Sequence, residues 1–134
     1  MTDRATNSEG RECPNRHILV VDDEQAIRGL ARRILNSKGY RVTTCKSGAQ
    51  AVDAYAKLGD RVDLVILDML MPDMNGVETL RLLKQADPNV RAILCSAYVP
   101  DFTGKSIADE GFVGFIAKPF EMDALLMLTE RNLK

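Results

Sequence analysis

Asp22, Asp23, Glu24 and Asp68 each stand just past a short apolar run, and the ammonium of Lys118 stands in the same situation. Ile18-Leu19-Val20-Val21 ends on Asp22-Asp23-Glu24, Leu64-Val65-Ile66-Leu67 on Asp68, and Val113-Gly114-Phe115-Ile116-Ala117 on Lys118-Pro119. Ala92-Ile93-Leu94-Cys95 runs into the hydroxyl of Ser96 in the same way. Continuous apolar runs of this length read as strands buried on both faces, as in parallel sheets. Open parallel sheets bind ligands outside the carboxyl ends of their strands. These groups, far apart in sequence, are therefore expected to meet in one crevice. Clustered carboxylates repel, so they either stay protonated or hold a cation. A hard cation such as Mg²⁺ takes carboxylate, water and phosphate oxygens. A compact ammonium suits a phosphoryl oxygen, and a serine hydroxyl can donate to one. The set reads as a site for a divalent cation and a phosphoryl group.

Each residue also has an ordinary reading. Acidic residues at a strand-to-helix junction cap the helix and complement its dipole. A lysine before a turn and a serine at a strand end are common surface features. Asp68 separates the two accounts. Met69 to Asn75 intervene before the next helical pattern, so Asp68 has no helix to cap.

The elements that must position these groups alternate along the chain. Residues 1–16 are polar and aperiodic, with Asn7, Ser8, Gly10 and Pro14, and are expected to form a flexible tail. A strand near 17–22 leads into a helix with Ile27, Leu30, Ala31, Ile34 and Leu35 at helical spacing, stopped near Gly39. A strand near 41–45 precedes a helix capped by Ser47, with Ala51, Ala54, Tyr55 and Leu58 inward. The third strand, 63–67, is followed by a Pro72/Asn75/Gly76 loop and a helix carrying Val77, Leu80 and Leu83. The fourth, 91–95, leads to a loop with Pro100 and a short helix over 101–110 stopped at Gly111. The fifth, 113–117, leads to a helix with Met122, Leu125 and Leu126. Five strand–helix units with right-handed crossovers predict a doubly wound parallel α/β sheet with helices on both faces.

The chain has 134 residues, 46% of them apolar, which fits one domain with a real core. A formal net charge of −1 points to no nucleic-acid or anionic-membrane partner. No apolar stretch approaches the roughly 20 residues needed to span a bilayer, and the N-terminus lacks a secretory apolar segment. Cys13, Cys45 and Cys95 show no paired metal spacing and are joined by a single histidine, His17, so a zinc site is not expected. Cys45 and Cys95 read as small buried hydrophobes in a reducing cytoplasm.

Taken together, Val20-Val21-Asp22-Asp23-Glu24, Asp68-Met69-Leu70-Met71-Pro72-Asp73-Met74-Asn75-Gly76, Ser96-Ala97 and Lys118-Pro119-Phe120 follow one another in a familiar order and spacing. The chain resembles the receiver (response-regulator, CheY-like) domains of bacterial two-component signalling over about 17–133. The resemblance implies a flavodoxin-like sheet in the order 2-1-3-4-5 and a receiver domain at 17–134, after the tail. It makes Asp68 the phosphoacceptor, Asp23 a direct Mg²⁺ ligand, Asp22 a ligand through water, and the backbone carbonyl of Leu70 a further metal contact. Lys118 would pair with the phosphoryl group across a cis Lys118–Pro119 bond. Ser96 would be the switch hydroxyl and Phe115 the switch aromatic, a position where many members carry tyrosine. The implied protein is cytoplasmic and is not an enzyme in the usual sense. It is a regulatory phosphoacceptor that assists its own phosphorylation and dephosphorylation. Its partners would be a sensor histidine kinase or histidine phosphotransfer protein and an unknown downstream protein, with no direct nucleic-acid or membrane contact.

Other classes fit less well. A haloacid-dehalogenase-type phosphatase also uses a strand-end Asp, Mg²⁺ and a Lys, but needs a second Asp where this chain has Leu70. A nucleotide-binding fold would show a glycine-rich phosphate loop after the first strand, and none is there. A receiver that binds partners without being phosphorylated would be expected to lack one of the reactive groups, yet all are present. No DNA-binding or catalytic segment follows the last helix before Lys134, so output is expected through protein contacts, by a single-domain receiver or by part of a longer hybrid kinase. The resemblance implies that the side chains two residues past Asp68 and two past Ser96 flank the approach of water to the phosphorus. Here they are the bulky Leu70 and Tyr98 rather than a carboxylate or amide that could orient it, so a long-lived acyl phosphate is expected.

Overall fold

The computed structural model describes residues 16–97 and 106–133. Among these residues are five parallel strands and four α-helices, which alternate as far as β4, after which β5 is the next element: β1 (His17–Val21), α1 (Gln25–Asn36), β2 (Arg41–Cys45), α2 (Gly48–Leu58), β3 (Leu64–Asp68), α3 (Gly76–Ala86), β4 (Ala92–Ser96), β5 (Gly114–Ala117) and α4 (Met122–Asn132). One turn of 3₁₀ helix, Gly59–Arg61, links α2 to β3. The strands lie in the order β2-β1-β3-β4-β5, so the chain moves first to one side of β1 and then to the other.

Alternation along the strands divides the core in two. Leu19, Val21, Val65, Leu67, Ala92 and Leu94 face one way and pack with Ala51 and Tyr55 of α2 and Val77, Leu80 and Leu83 of α3. Ile18, Val20, Leu64, Ile66, Ile93, Cys95 and Ile116 face the other way, against Ala31, Ile34 and Leu35 of α1 and Leu125 of α4. Every residue of β1, β3 and β4 is buried, which is why these strands read as unbroken apolar runs rather than alternating ones. The parallel register brings Val21 opposite Leu67, Asp68 opposite Cys95 and Ser96 opposite Ala117. The carboxyl ends of the central strands therefore finish nearly level, with polar residues at the edge.

Local signals fix the junctions. The Ser47 side chain accepts a hydrogen bond from the Gln50 amide at 3.1 Å, capping α2 as its sequence predicts. Asn75 and Glu78 form a reciprocal capping box at the start of α3, with both bonds at 2.8 Å.

Three expectations need correcting. The residues of the expected 101–110 helix that are described, from Ser106 on, form a turn closed by Gly111 N–H donating to Ala108 O at 2.9 Å; 101–105 lie outside the described residues. Ser106 and Asp109 do make the reciprocal bonds of a helix start, at 3.0 and 3.1 Å. Gly111, at φ +101°, breaks the run five residues later, before the favourable part of helix growth is reached. Leu30, placed inward by spacing, is 39% exposed on α1, because that helix needs only Ala31, Ile34 and Leu35 to cover its part of the sheet. Met122 is likewise 53% exposed, lying in the first turn of α4 before Leu125 reaches the core. The tail to Asn15, with Cys13, and Tyr98 fall outside the described residues.

Candidate functional site

The edge formed by the ends of β1, β3, β4 and β5 gathers the predicted groups. Backbone bonds carry each strand's alignment one residue further. Asp22 N–H donates to Cys45 O at 3.0 Å, Met69 N–H to Cys95 O at 3.3 Å, and Lys118 N–H to Ser96 O at 2.8 Å. Asp22, Asp23 and Asp68 each offer a carboxylate oxygen, and the three lie within 4.8 Å of one another. Asp22 and Asp68 are buried while Asp23 is exposed, so the cluster opens to solvent on the Asp23 side. Lys118, reaching back across a cis Lys118–Pro119 bond, places its ammonium among the carboxylates. Its Nζ lies 2.8 Å from Asp22 Oδ2, 3.1 Å from Asp68 Oδ1 and 3.6 Å from Glu24 Oε1.

The helix-capping account of the acidic triplet does not hold. Glu24 occupies the N-cap of α1 with no side-chain cap bond. Asp22 Oδ1 instead accepts from the Glu24 amide at 2.9 Å, and its other oxygen faces Lys118. Asp22 is thus saturated by neighbours, whereas Asp23 is not buried.

Three carboxylates against one ammonium leave uncompensated negative charge in a partly dry site. Burial, and then the charge of Asp22, push the Asp68 carboxyl up to about 6 from 3.8, although the Lys118 hydrogen bond pulls it down. Burial works to lower the Lys118 pKa, but hydrogen bonds to Asp22 and Asp68 outweigh it and hold the ammonium protonated above its ordinary range. The donor set is all hard oxygen with an open side, which suits a divalent cation and excludes a soft-metal site.

Ser96 is buried at the end of β4, opposite Ala117, and its carbonyl accepts from the Lys118 amide. Phe115 pairs with Leu94 and is half-buried against the α2/α3 side of the core. Leu70 is 57% exposed two residues past Asp68. His17 is buried at the opposite end of β1, its Nε2 2.7 Å from Thr43 Oγ1, and burial lowers its pKa. Cys45 and Cys95 are buried free thiols whose pKa burial pushes up to about 11 and about 12, so they are inert packing groups.

Sequence reasoning missed three residues that hold the site's loops. Asp73, in the loop after Asp68, accepts from the Gly48 and Ala49 amides at 3.1 and 2.8 Å, pinning that loop to the start of α2. These bonds lower the Asp73 pKa. They span 24 and 25 residues, so no local pattern announces them. Gly76 donates to Met69 O at 2.9 Å, and a Cβ there would come within 2.8 Å of the Asp68 carbonyl oxygen. A glycine lets α3 begin directly against the backbone of Asp68. Arg28 of α1 donates from Nη1 to the Asp22 carbonyl at 2.7 Å.

Residues 18–130 match the response regulator receiver domain family. The chain belongs to that family. Receivers are regulatory phosphoacceptor domains of two-component systems. This receiver is 38% identical over 111 residues to sporulation initiation phosphotransferase F of Bacillus subtilis, covering 83% of the chain and 88% of that protein. It is 34% identical over 117 residues to the sensor kinase CckA of Brucella abortus, covering 87% of the chain but only 12% of the kinase. Its fold is similar to a chain in the crystal structure of the CheX–CheY–BeF₃–Mg²⁺ complex from Borrelia burgdorferi, with a TM-score of 0.81 and 29% identity. That match covers 89% of this chain and 90% of the other.

Proposed function

We propose that residues 17–134 act as a cytoplasmic phosphoacceptor receiver that takes a phosphoryl group onto Asp68 from a histidine kinase or histidine phosphotransfer protein. The observation that carries this reading is the Asp22/Asp23/Asp68 cluster with Lys118 bonded to Asp68 at 3.1 Å. The Asp68 carboxylate attacks the phosphorus of a partner's phosphohistidine as the P–N bond breaks, giving an acyl phosphate and a free imidazole. Such transfer is loose, so the protein mainly positions groups and neutralises charge. Asp23, Asp68, the Leu70 carbonyl and Asp22 would hold Mg²⁺, with Asp23 as the direct carboxylate because Asp22 is already committed to Glu24 and Lys118. Bound there, Mg²⁺ supplies positive charge to the phosphoryl oxygens. Lys118 would supply a second positive charge.

The acyl phosphate brings charge and strong acceptor oxygens to a site that held a single carboxylate. The Ser96 hydroxyl is drawn toward it, and Phe115 turns inward behind it, altering the surface formed by β5 and the turn before it. That surface carries the output to a downstream protein. The turn is a suitable moving part because few apolar anchors hold it: Phe112 is buried and Ile107 only partly so.

Acetyl phosphate or a purified phosphodonor, with Mg²⁺, should label the protein stoichiometrically, and Asp68→Asn should take no label while staying folded. Labelling of the Asn variant would move the acceptor elsewhere. Absence of labelling in the native protein would leave a receiver that only binds partners.

A further inference from the structure

We infer that Arg28 is a positioning residue for the cation site, acting through the Asp22–Asp23 peptide, an inference that rests on the Mg²⁺ reading above. Arg28 lies in the second turn of α1 and reaches back past the helix start to the Asp22 carbonyl, at 2.7 Å. Asp22 is otherwise held through its amide by Cys45 O and through its carboxylate by Glu24 N–H and Lys118. Its carbonyl is the one remaining polar group, and it belongs to the peptide unit whose nitrogen is that of Asp23. Rotation of that peptide is what would swing the Asp23 carboxylate away from the cluster. Asp23 has no burial to hold it, being exposed. The guanidinium therefore fixes the direction of a ligand that packing does not fix. The Glu24 amide bonded to Asp22 Oδ1 at 2.9 Å closes the turn around Asp23 from the side-chain side, and Arg28 holds it from the carbonyl side.

Charge and position make opposite demands here, which makes the inference testable. On charge alone, a cation beside an acidic cluster weakens binding of another cation, so removing it should tighten Mg²⁺. If Arg28 positions Asp23, removing its donor should weaken Mg²⁺ despite that relief. Groups that hold a metal's ligands in place typically matter by about tenfold or more in affinity.

The experiment titrates Mg²⁺ into the native protein, Arg28→Met and Arg28→Lys, following calorimetric heat and the amide resonances of Asp23 and Glu24. Methionine keeps an apolar stem but no donor, and lysine keeps the charge and a donor group. Arg28→Met should weaken Mg²⁺ about tenfold and shift or broaden the Asp23 amide even without metal. Arg28→Lys should recover most of the affinity. Native-like or tighter binding by a folded Arg28→Met overturns the inference and leaves the cation site standing. If Arg28→Met does not fold, Arg28→Leu, which also lacks a donor, is read in its place: about tenfold weaker Mg²⁺ supports the inference and native-like or tighter binding overturns it. Failure of the native protein to bind Mg²⁺ overturns the cation reading itself.

Discussion

Replacing Asp68 by asparagine should stabilise the metal-free protein, and the gain should depend on pH in a defined way. Asp68 is 5% exposed, sits beside Asp22, and has its carboxyl raised from 3.8 to about 6. A folded-state value above the unfolded one means that the carboxyl is more easily ionised once the chain unfolds. Its contribution is intact below 3.8 and is lost as the pH climbs through about 6. The displacement corresponds to about 3 kcal/mol of unfavourable ionisation at pH 8. At pH 4 the same shift is worth well under about 1 kcal/mol, because Asp68 is then almost fully protonated when folded and only somewhat more than half ionised when unfolded. Asparagine mimics the neutral form at every pH. Asp68→Asn should therefore raise the melting temperature by roughly 10 °C at pH 8 and hardly at all at pH 4. The assay is urea and thermal unfolding of both proteins without divalent ions, repeated with saturating Mg²⁺. Mg²⁺ should stabilise the native protein by mass action and narrow the gap. A variant no more stable than native at pH 8, or a gain that is the same at both pH values, would refute the electrostatic account.

Three further outcomes follow from individual residues. Ser96→Ala should still accept phosphate on Asp68, but the beryllofluoride-induced change in amide exchange over 106–115 should disappear; equal responses in both proteins would show that the hydroxyl is not the relay. Leu70, 57% exposed two residues past Asp68, is expected to cover the approach of water together with Tyr98. Leu70→Asn with Tyr98→Glu should then speed decay of the acyl phosphate by about tenfold, or roughly 1.4 kcal/mol of barrier, and an unchanged half-life would discard the shielding idea. Thr129 is fully buried on α4 with a hydroxyl oxygen that lacks a hydrogen-bond partner among the described residues. Thr129→Val keeps the shape and removes an unsatisfied group, so urea unfolding should show about 1 kcal/mol of added stability; a loss of stability would show that the hydroxyl is satisfied in solution.

Strand identity, order of elements and reactive edge were legible in the chain because burial on both faces leaves an uninterrupted apolar signature. Ile18–Val21, Leu64–Leu67 and Ala92–Cys95 are short, branched apolar runs of the kind interior strands show, and a parallel connection puts all their carboxyl ends on one side. Caps at Ser47 and Asn75 were equally local, since cap and amide lie three residues apart. What tertiary structure alone decided is how the edge is held. Asp73 reaching Gly48, Arg28 reaching Asp22 and Gly76 making room at the Asp68 backbone join groups whose spacing carries no period. The depth of Leu30 and Met122 also depended on how much sheet their helices had left to cover. So did the state of Asp68. An aspartate is acidic in any sequence, but its pKa near 6 exists only because the fold buries it beside Asp22, an effect that Lys118, brought across fifty residues, offsets only in part. Sequence encodes which groups arrive at the edge; burial and charge there, which set their chemistry, are properties of the assembled sheet.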